Sequence, residues 1–210
     1  RGATSAGAVA IIGPTQPFLP EEVATLLAFV RKGGKLFLML DPDKDVGLQP
    51  LLAGIGVALS PGTVLSKGHH MTHAHNESDT GVIYSNSYTS HPIVTTATRN
   101  QREVATVFVN GAALLASTAV VEPKPKVTFP LRSARDFWRD LNGDFKQDPN
   151  EPSEALNLIA AVTLTDKSID KAGDKAGDKV GAATEGRAVV VGDGDFMTDK
   201  LASNNGNLLV

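Results

Sequence analysis

The chain has 210 residues, enough for one sizeable domain that buries roughly 70% of the surface its unfolded form exposes, so no disulfide or metal is needed merely to keep it folded. It contains no cysteine, which excludes disulfides, thiolate metal centres, iron–sulfur clusters and a cysteine nucleophile. Basic residues number 20 and acidic residues 23, a formal net charge of −3 with no basic stripe, which argues against a phosphate-backbone binder, and no run approaches the ~18 apolar residues of a membrane span.

Ala8 to Ile12 is an apolar run closed by Gly13-Pro14, the pattern of a buried strand. A helix follows. Pro20 suits its first position, Glu21 and Glu22 favour its positive end, and Val23, Leu26, Leu27 and Val30 recur with helical spacing. Arg31 and Lys32 fill its last turn before Gly33-Gly34 stops it. Lys35 to Leu40 is a second continuous apolar strand, so the segment reads as one βαβ unit with parallel strands buried on both faces. A short helix around Leu48–Leu52 and a strand near Val57–Leu59 continue the pattern. Residues 60–80 are polar and carry four histidines. Val82–Tyr84, Ile93–Thr96 and Val104–Val109 read as short strands, Val127–Phe129 as another, Ser133–Leu141 as a helical turn and Leu156–Leu164 as a long β-rich run. Residues 166–186 hold the tandem Lys171-Ala-Gly-Asp and Lys175-Ala-Gly-Asp and read as a low-complexity, solvated insertion. Ala188–Val191 is a last buried strand, expected to lie parallel with those at 8–12 and 35–40 in one sheet.

Several of these pieces fall in a familiar order: Ile11-Ile-Gly-Pro-Thr-Gln-Pro-Phe-Leu, Arg31-Lys-Gly-Gly-Lys35, Leu38-Met-Leu-Asp-Pro42, Leu51-Leu-Ala-Gly-Ile-Gly-Val57, Ser90-His-Pro-Ile93, and Val189-Val-Val-Gly-Asp-Gly-Asp-Phe196 with Asn205-Gly-Asn207. From about residue 8 onward, apart from 60–80 and 166–186, the chain resembles the auxiliary component of gliding-motility-type (GldG-like) ABC transport systems. The resemblance implies an α/β fold, flavodoxin-like or amidotransferase-like, with a mainly parallel sheet flanked by helices and extra β-rich segments in the middle. It implies a single domain over 1–210, cut from a longer protein anchored in the cytoplasmic membrane with its soluble part outside, and partners in an ABC permease and ATPase. No catalytic residues carry over from it.

The residues themselves exclude several activities. There is no Gly-x-x-x-x-Gly-Lys-Ser/Thr loop, so the chain is not itself the ATPase. Gly192-x-Gly194 meets Met197 where a dinucleotide fingerprint needs Gly or Ala, and there is no Gly-x-Ser-x-Gly elbow. Asp41, Asp43 and Asp45 follow one strand, and Asp193 and Asp195 another. Because ligands of open α/β sheets sit beyond the carboxyl ends of strands, Asp41, Asp43, Asp193 and Asp195 are the candidate ligand-binding group, for a cation or polyol. The alternative is that they merely end strands and cap turns.

His69, His70, His73 and His75 have a spacing that suits zinc or nickel, although their setting reads as a solvated loop. His91, ahead of Pro92, reads as a hydrogen-bonded structural group. The sharpest motif runs from Asp140 to Glu151. Asp140, Asn142, Asp144, Lys146 (through its carbonyl), Asp148 and Glu151 fall at positions 1, 3, 5, 7, 9 and 12 of a calcium loop. Phe145 stands where glycine normally turns the chain, and Pro152 replaces the exit helix. The other reading is an acidic surface turn. Two functions are thus open: a non-catalytic binding module of a transport complex, with calcium as its possible ion, or an enzyme acting on a small ligand or glycan in the crevice near Asp41 and Asp193.

Overall fold

The computed structural model describes residues 7–42, 44–166, 184–198 and 207. The chain opens with strand β1 (Ala8–Ile12), helix α1 (Pro20–Arg31) and strand β2 (Lys35–Met39). In α1, Pro20 occupies the first turn and the Glu22 carboxylate accepts the Leu19 N–H at 2.9 Å, quenching one orphan donor. The helix ends in a Schellman motif. Gly33 has φ +94°, its N–H reaches the Val30 carbonyl, and the Gly34 N–H reaches that of Phe29, each at 3.0 Å. Its buried face is Val23, Leu26, Phe29 and Val30. Phe29, unmarked in the periodicity above, lies against Gly34, while Leu27 is only partly buried and packs toward Gly54.

The remaining elements are α2 (Gln49–Gly54), β3 (Val57–Leu59), β4 (Thr63–Ser66), β5 (Val82–Ser85), β6 (Ser87–Tyr88), α3 (Thr95–Arg99), β7 (Thr106–Val109), β8 (Leu114–Ala116), β9 (Lys126–Arg132), β10 (Phe137–Asp140), β11 (Asn157–Asp166) and β12 (Thr184–Val191). Among the described residues the main sheet has eight strands, in the order β1-β2-β12-β11-β8-β3, with β9 pairing β11 and β6 pairing β9. The expected parallel trio is present: Ile11 faces Leu38 across β1 and β2, and Val190 faces Leu38 across β12 and β2.

The sheet as a whole is mixed rather than mainly parallel. β12 pairs β11 antiparallel, and every further pairing out to β3 and β6 is antiparallel as well. The register pairs Ile159 with Val191 and Asp166 with Thr184, which sets the end of β11 beside the start of β12, the geometry of an antiparallel return.

The two faces are covered differently. On one, Leu36, Leu38, Ala188 and Val190 pack under α1 and α2 with Leu51 and Ile55. On the other, Met39, Val191 and Ile159 pack against Val64, Ile83, Phe108 and Phe137. These last four belong to two small ribbons, β4–β10 and β5–β7, so strand ribbons pack on this face.

Three local expectations are corrected. Ile93–Thr96 is helical: a 3-10 turn, Pro92–Val94, runs into α3, because His91 caps it and Pro92 presets φ at its start. Ser133–Leu141 is not a helical turn. Phe137–Asp140 is extended and pairs with Ser66–Thr63, which buries Phe137 and Trp138. Within the polar 60–80 stretch, Val64 and Leu65 are fully buried. Of the low-complexity 166–186, residues 167–183 lie outside the described residues, whereas Asp166 and Thr184–Gly186 belong to β11 and β12.

Candidate functional site

Parallel β1, β2 and β12 bring three loop starts together at their carboxyl ends. Gly13, with φ +49°, approaches Gly194 so closely that a Cβ would stand 3.2 Å from its carbonyl oxygen. The Asp41 carboxylate accepts the Gly194 N–H at 2.7 Å through Oδ1 and the Lys44 ammonium at 2.6 Å through Oδ2. Asp193 is fully buried. Its Oδ2 accepts the Val109 N–H and its Oδ1 the Asp195 N–H, each at 2.7 Å. Burial pushes its carboxyl up to about 7. The two backbone donors oppose that rise, and the charges of Asp195 and Asp41 add to it. Asp193 therefore ties the end of β7 to the end of β12 from behind the crevice. Asp41 and the exposed Asp195 form its wall, and Asp43 lies outside the described residues.

The Asp140–Glu151 loop is wound on its own carboxylates. Asp140, buried, accepts the Asn142 and Gly143 N–H groups at 3.2 and 2.7 Å through Oδ1 and the Phe145 N–H at 2.8 Å through Oδ2. The Asn142 side-chain Oδ1 accepts the Asp144 N–H, and the Asp144 carboxylate that of Lys146. Glu151, also buried, accepts the Leu141 N–H at 2.7 Å and the Asp148 N–H at 3.1 Å, while the Asn142 amide donates to Asp148. Phe145 has φ +61°, the left-handed conformation that glycine normally supplies at this place. The loop thus has the curvature that the motif requires, with the carboxylates turned onto backbone donors. Among the described residues no three His, Cys, Asp or Glu side chains are grouped to hold a metal. Loop entry is by β10, and the Glu154 N–H returns to the Phe137 carbonyl at 2.8 Å, closing a hairpin-like lobe.

Two candidate groups that lie a hundred residues apart in part of their sequence share one cleft. A cavity of about 310 Å³ is lined by Asp41, Lys44 and Asp195 on the crevice side and by Asp140, Gly143 and Phe145 on the loop side. Thr63 and Asn110 also line it. The juxtaposition follows from the pairing of Asp140 with Thr63 and from the Val64 N–H bond to the Gly111 carbonyl, 2.8 Å long. Lys44, Thr63 and Asn110 had no motif to mark them; Asn110-Gly111 is recognisable only as a turn, and Asn110 does adopt φ +51°. The carboxylates of Asp41 and Asp195, tempered by the Lys44 ammonium, suit a cationic or hydroxyl-rich ligand. Among the described residues of the cleft no nucleophile is paired with a base.

The histidine segment has a different organiser from those nearby in sequence. His69 Nδ1 donates to Asp136 Oδ2 at 2.9 Å, and Ser66 Oγ donates to the same oxygen at 3.2 Å. Burial alone would raise the Asp136 carboxyl. The His69 hydrogen bond, Asp136's own backbone and the imidazole charge outweigh it and hold the group below the usual range. The ring also lies against Phe137 and Tyr84. Because Ser66 bonds the carboxylate and not the imidazole, this is not the chain of a serine nucleophile. Asp79, buried, gathers the Ala74 and His75 N–H groups at 2.7 and 2.8 Å and shapes the turn.

Comparison with known proteins adds two findings. Residues 3–209 match the profile of a family described as an ABC-type uncharacterized transport system, auxiliary. Among solved structures, the chain is similar to one titled mmIFT52 N-terminal domain, with TM-score 0.63 and 12% identity, covering 99% of this chain and 74% of that one. That likeness is one of fold. No curated protein matches the sequence.

Proposed function

The chain belongs to the ABC-type uncharacterized transport system family, and from that premise we propose that it is the non-catalytic, extracytoplasmic binding and interaction module of a gliding-motility-type system, working with a separate ATPase and permease. The observation that carries this reading is the extent of the match, residues 3–209, which takes in the acidic crevice, the Asp140–Glu151 loop and both cores. The sequence supports it from the other side: without a phosphate-binding loop, nucleotide hydrolysis belongs to another subunit. The cleft between Asp41, Asp195 and the loop is the ligand site of this reading, and calcium is the ion of the loop, on the strength of its ligand spacing.

The test is co-expression of the full-length protein with the ATPase and permease encoded beside it. Co-purification of the three in detergent is the expected result. Sidedness is read separately. These 210 residues hold no cysteine, so Val120→Cys, at a position 94% exposed, adds a thiol of known place for a membrane-impermeant maleimide on intact spheroplasts, read against the unsubstituted protein. Labelling is expected without lysis. Failure to co-purify with either subunit, or labelling only after lysis, overturns the reading.

A further inference from the structure

His91, Thr95 and Arg99 follow at four-residue spacing through the 3-10 turn and α3, which sets them on one side of that segment. With Ser90 and Thr98 they line an open cavity of about 450 Å³, well away in sequence from the acidic cleft. Its chemistry is the reverse of that cleft, since no carboxylate is among the lining side chains.

The tautomer of His91 is fixed by its role in the fold. Nδ1 accepts the Ile93 N–H at 3.3 Å, so it carries a lone pair, and the proton of the neutral ring sits on Nε2, on the opposite edge. Burial, and then the charge of Lys126, hold the ring below its ordinary pKa. Lys126 thus adds positive potential without closing the site. The Thr95 and Thr98 hydroxyls donate to the carbonyls of His91 and Val94, which leaves the His91 Nε2–H, the Arg99 guanidinium and the Ser90 hydroxyl as donors to a ligand. Among the described residues Arg99 takes part in no ion pair.

We propose that this cavity binds a phosphate-type oxyanion between the His91 Nε2–H and the Arg99 guanidinium. A guanidinium presents parallel N–H groups that match two oxygens of such an anion, and the imidazole supplies a third donor from another direction. The ligand is either a free phosphate group or the phosphodiester of a lipid headgroup. The proposal is independent of the reading of the acidic cleft.

The Arg99 Nε–H and His91 ring signals of the labelled chain are followed by NMR during titration with sodium phosphate, against sodium chloride at matched ionic strength. A parallel arm measures sedimentation with phosphatidylglycerol vesicles against phosphatidylcholine vesicles. Two variants accompany both arms. His91→Asn keeps a capping oxygen for the Ile93 N–H and deletes the ring donor, and Arg99→Gln keeps a polar side chain and deletes the charge. The expected result is a saturating shift with phosphate, or sedimentation specific to the anionic vesicles, weakened roughly tenfold or more by each variant at unchanged melting temperature. Phosphate alone identifies a free anion as the ligand, and vesicles alone a headgroup. No saturation in either arm, or equal binding by wild type and both variants, overturns the proposal.

Discussion

Asp193 makes the stability of this protein depend on pH in a direction opposite to most carboxylates. Its pKa is about 7 in the fold against 3.8 for the free side chain. Between those values the folded state holds a proton that the unfolded chain has released, so stability falls as pH rises through the window and levels off above it. A displacement of about three units, at about 1.4 kcal/mol each, makes the loss about 4 kcal/mol from about pH 4 to about pH 8. Asp193→Asn removes the titration. It also turns an amide N–H₂ toward either the Val109 or the Asp195 N–H, where Asp193 now accepts both, at a roughly pH-independent cost of about 1–3 kcal/mol. Urea unfolding across that range, for wild type and variant, isolates the effect. Asp136, held low chiefly by His69 against burial, and His91, held low by burial and Lys126, contribute slopes of the other sign, but they are common to both proteins. The wild-type advantage is expected to shrink by about 4 kcal/mol as pH rises and to reverse between about pH 4.5 and about pH 6. Parallel profiles for the two proteins would refute the reasoning, because they would mean that Asp193 is as ionised in the fold as in the unfolded chain.

Gly186→Ala places a methyl group onto the Val30 carbonyl of α1, which cannot retreat as a side chain tip would. A loss of about 3 kcal/mol or more in unfolding free energy is expected, and a midpoint within error of wild type would show that helix and sheet are not in the contact described. Phe145→Gly relieves a left-handed residue and is expected to stabilise the metal-free protein by about 1 kcal/mol. If the Asp140–Glu151 loop takes calcium, millimolar calcium raises the melting temperature of wild type relative to chelator, raises that of Phe145→Gly further, and leaves Asp144→Ala unmoved. Equal shifts in all three sink the calcium reading.

What could be read from the residues was the part of the fold whose pairing is local or punctuated. Pro20, the acidic first turn and Gly33-Gly34 bracket α1, and continuous apolar runs mark β1, β2 and β12 as buried on both faces. The antiparallel half was harder because its strands are short and their states are set from far away. Phe137–Asp140 becomes a strand by pairing with Thr63–Ser66, an interaction that no window along the chain contains. The site divides in the same way. Each acidic motif was visible, yet their meeting in one cleft depends on β4 lying beside β10. Asp136 reaches His69 across 67 positions, so no spacing rule would find the pair.

The seat between β2 and β11 is taken by β12, the last strand among the described residues to leave the ribosome. Until residues 184–191 emerge, a nascent chain holds two unfinished half-sheets with the apolar edges of β2 and β11 both open, and their joining must wait on a partner nearly 150 positions downstream of β2. Closure across so long a separation lengthens the time in which the edges can find the wrong neighbour. Chains stalled or cut before β12 are thus substrates for chaperones and proteases rather than shortened versions of the domain, and any expression boundary placed upstream of Val191 removes the keystone of the sheet.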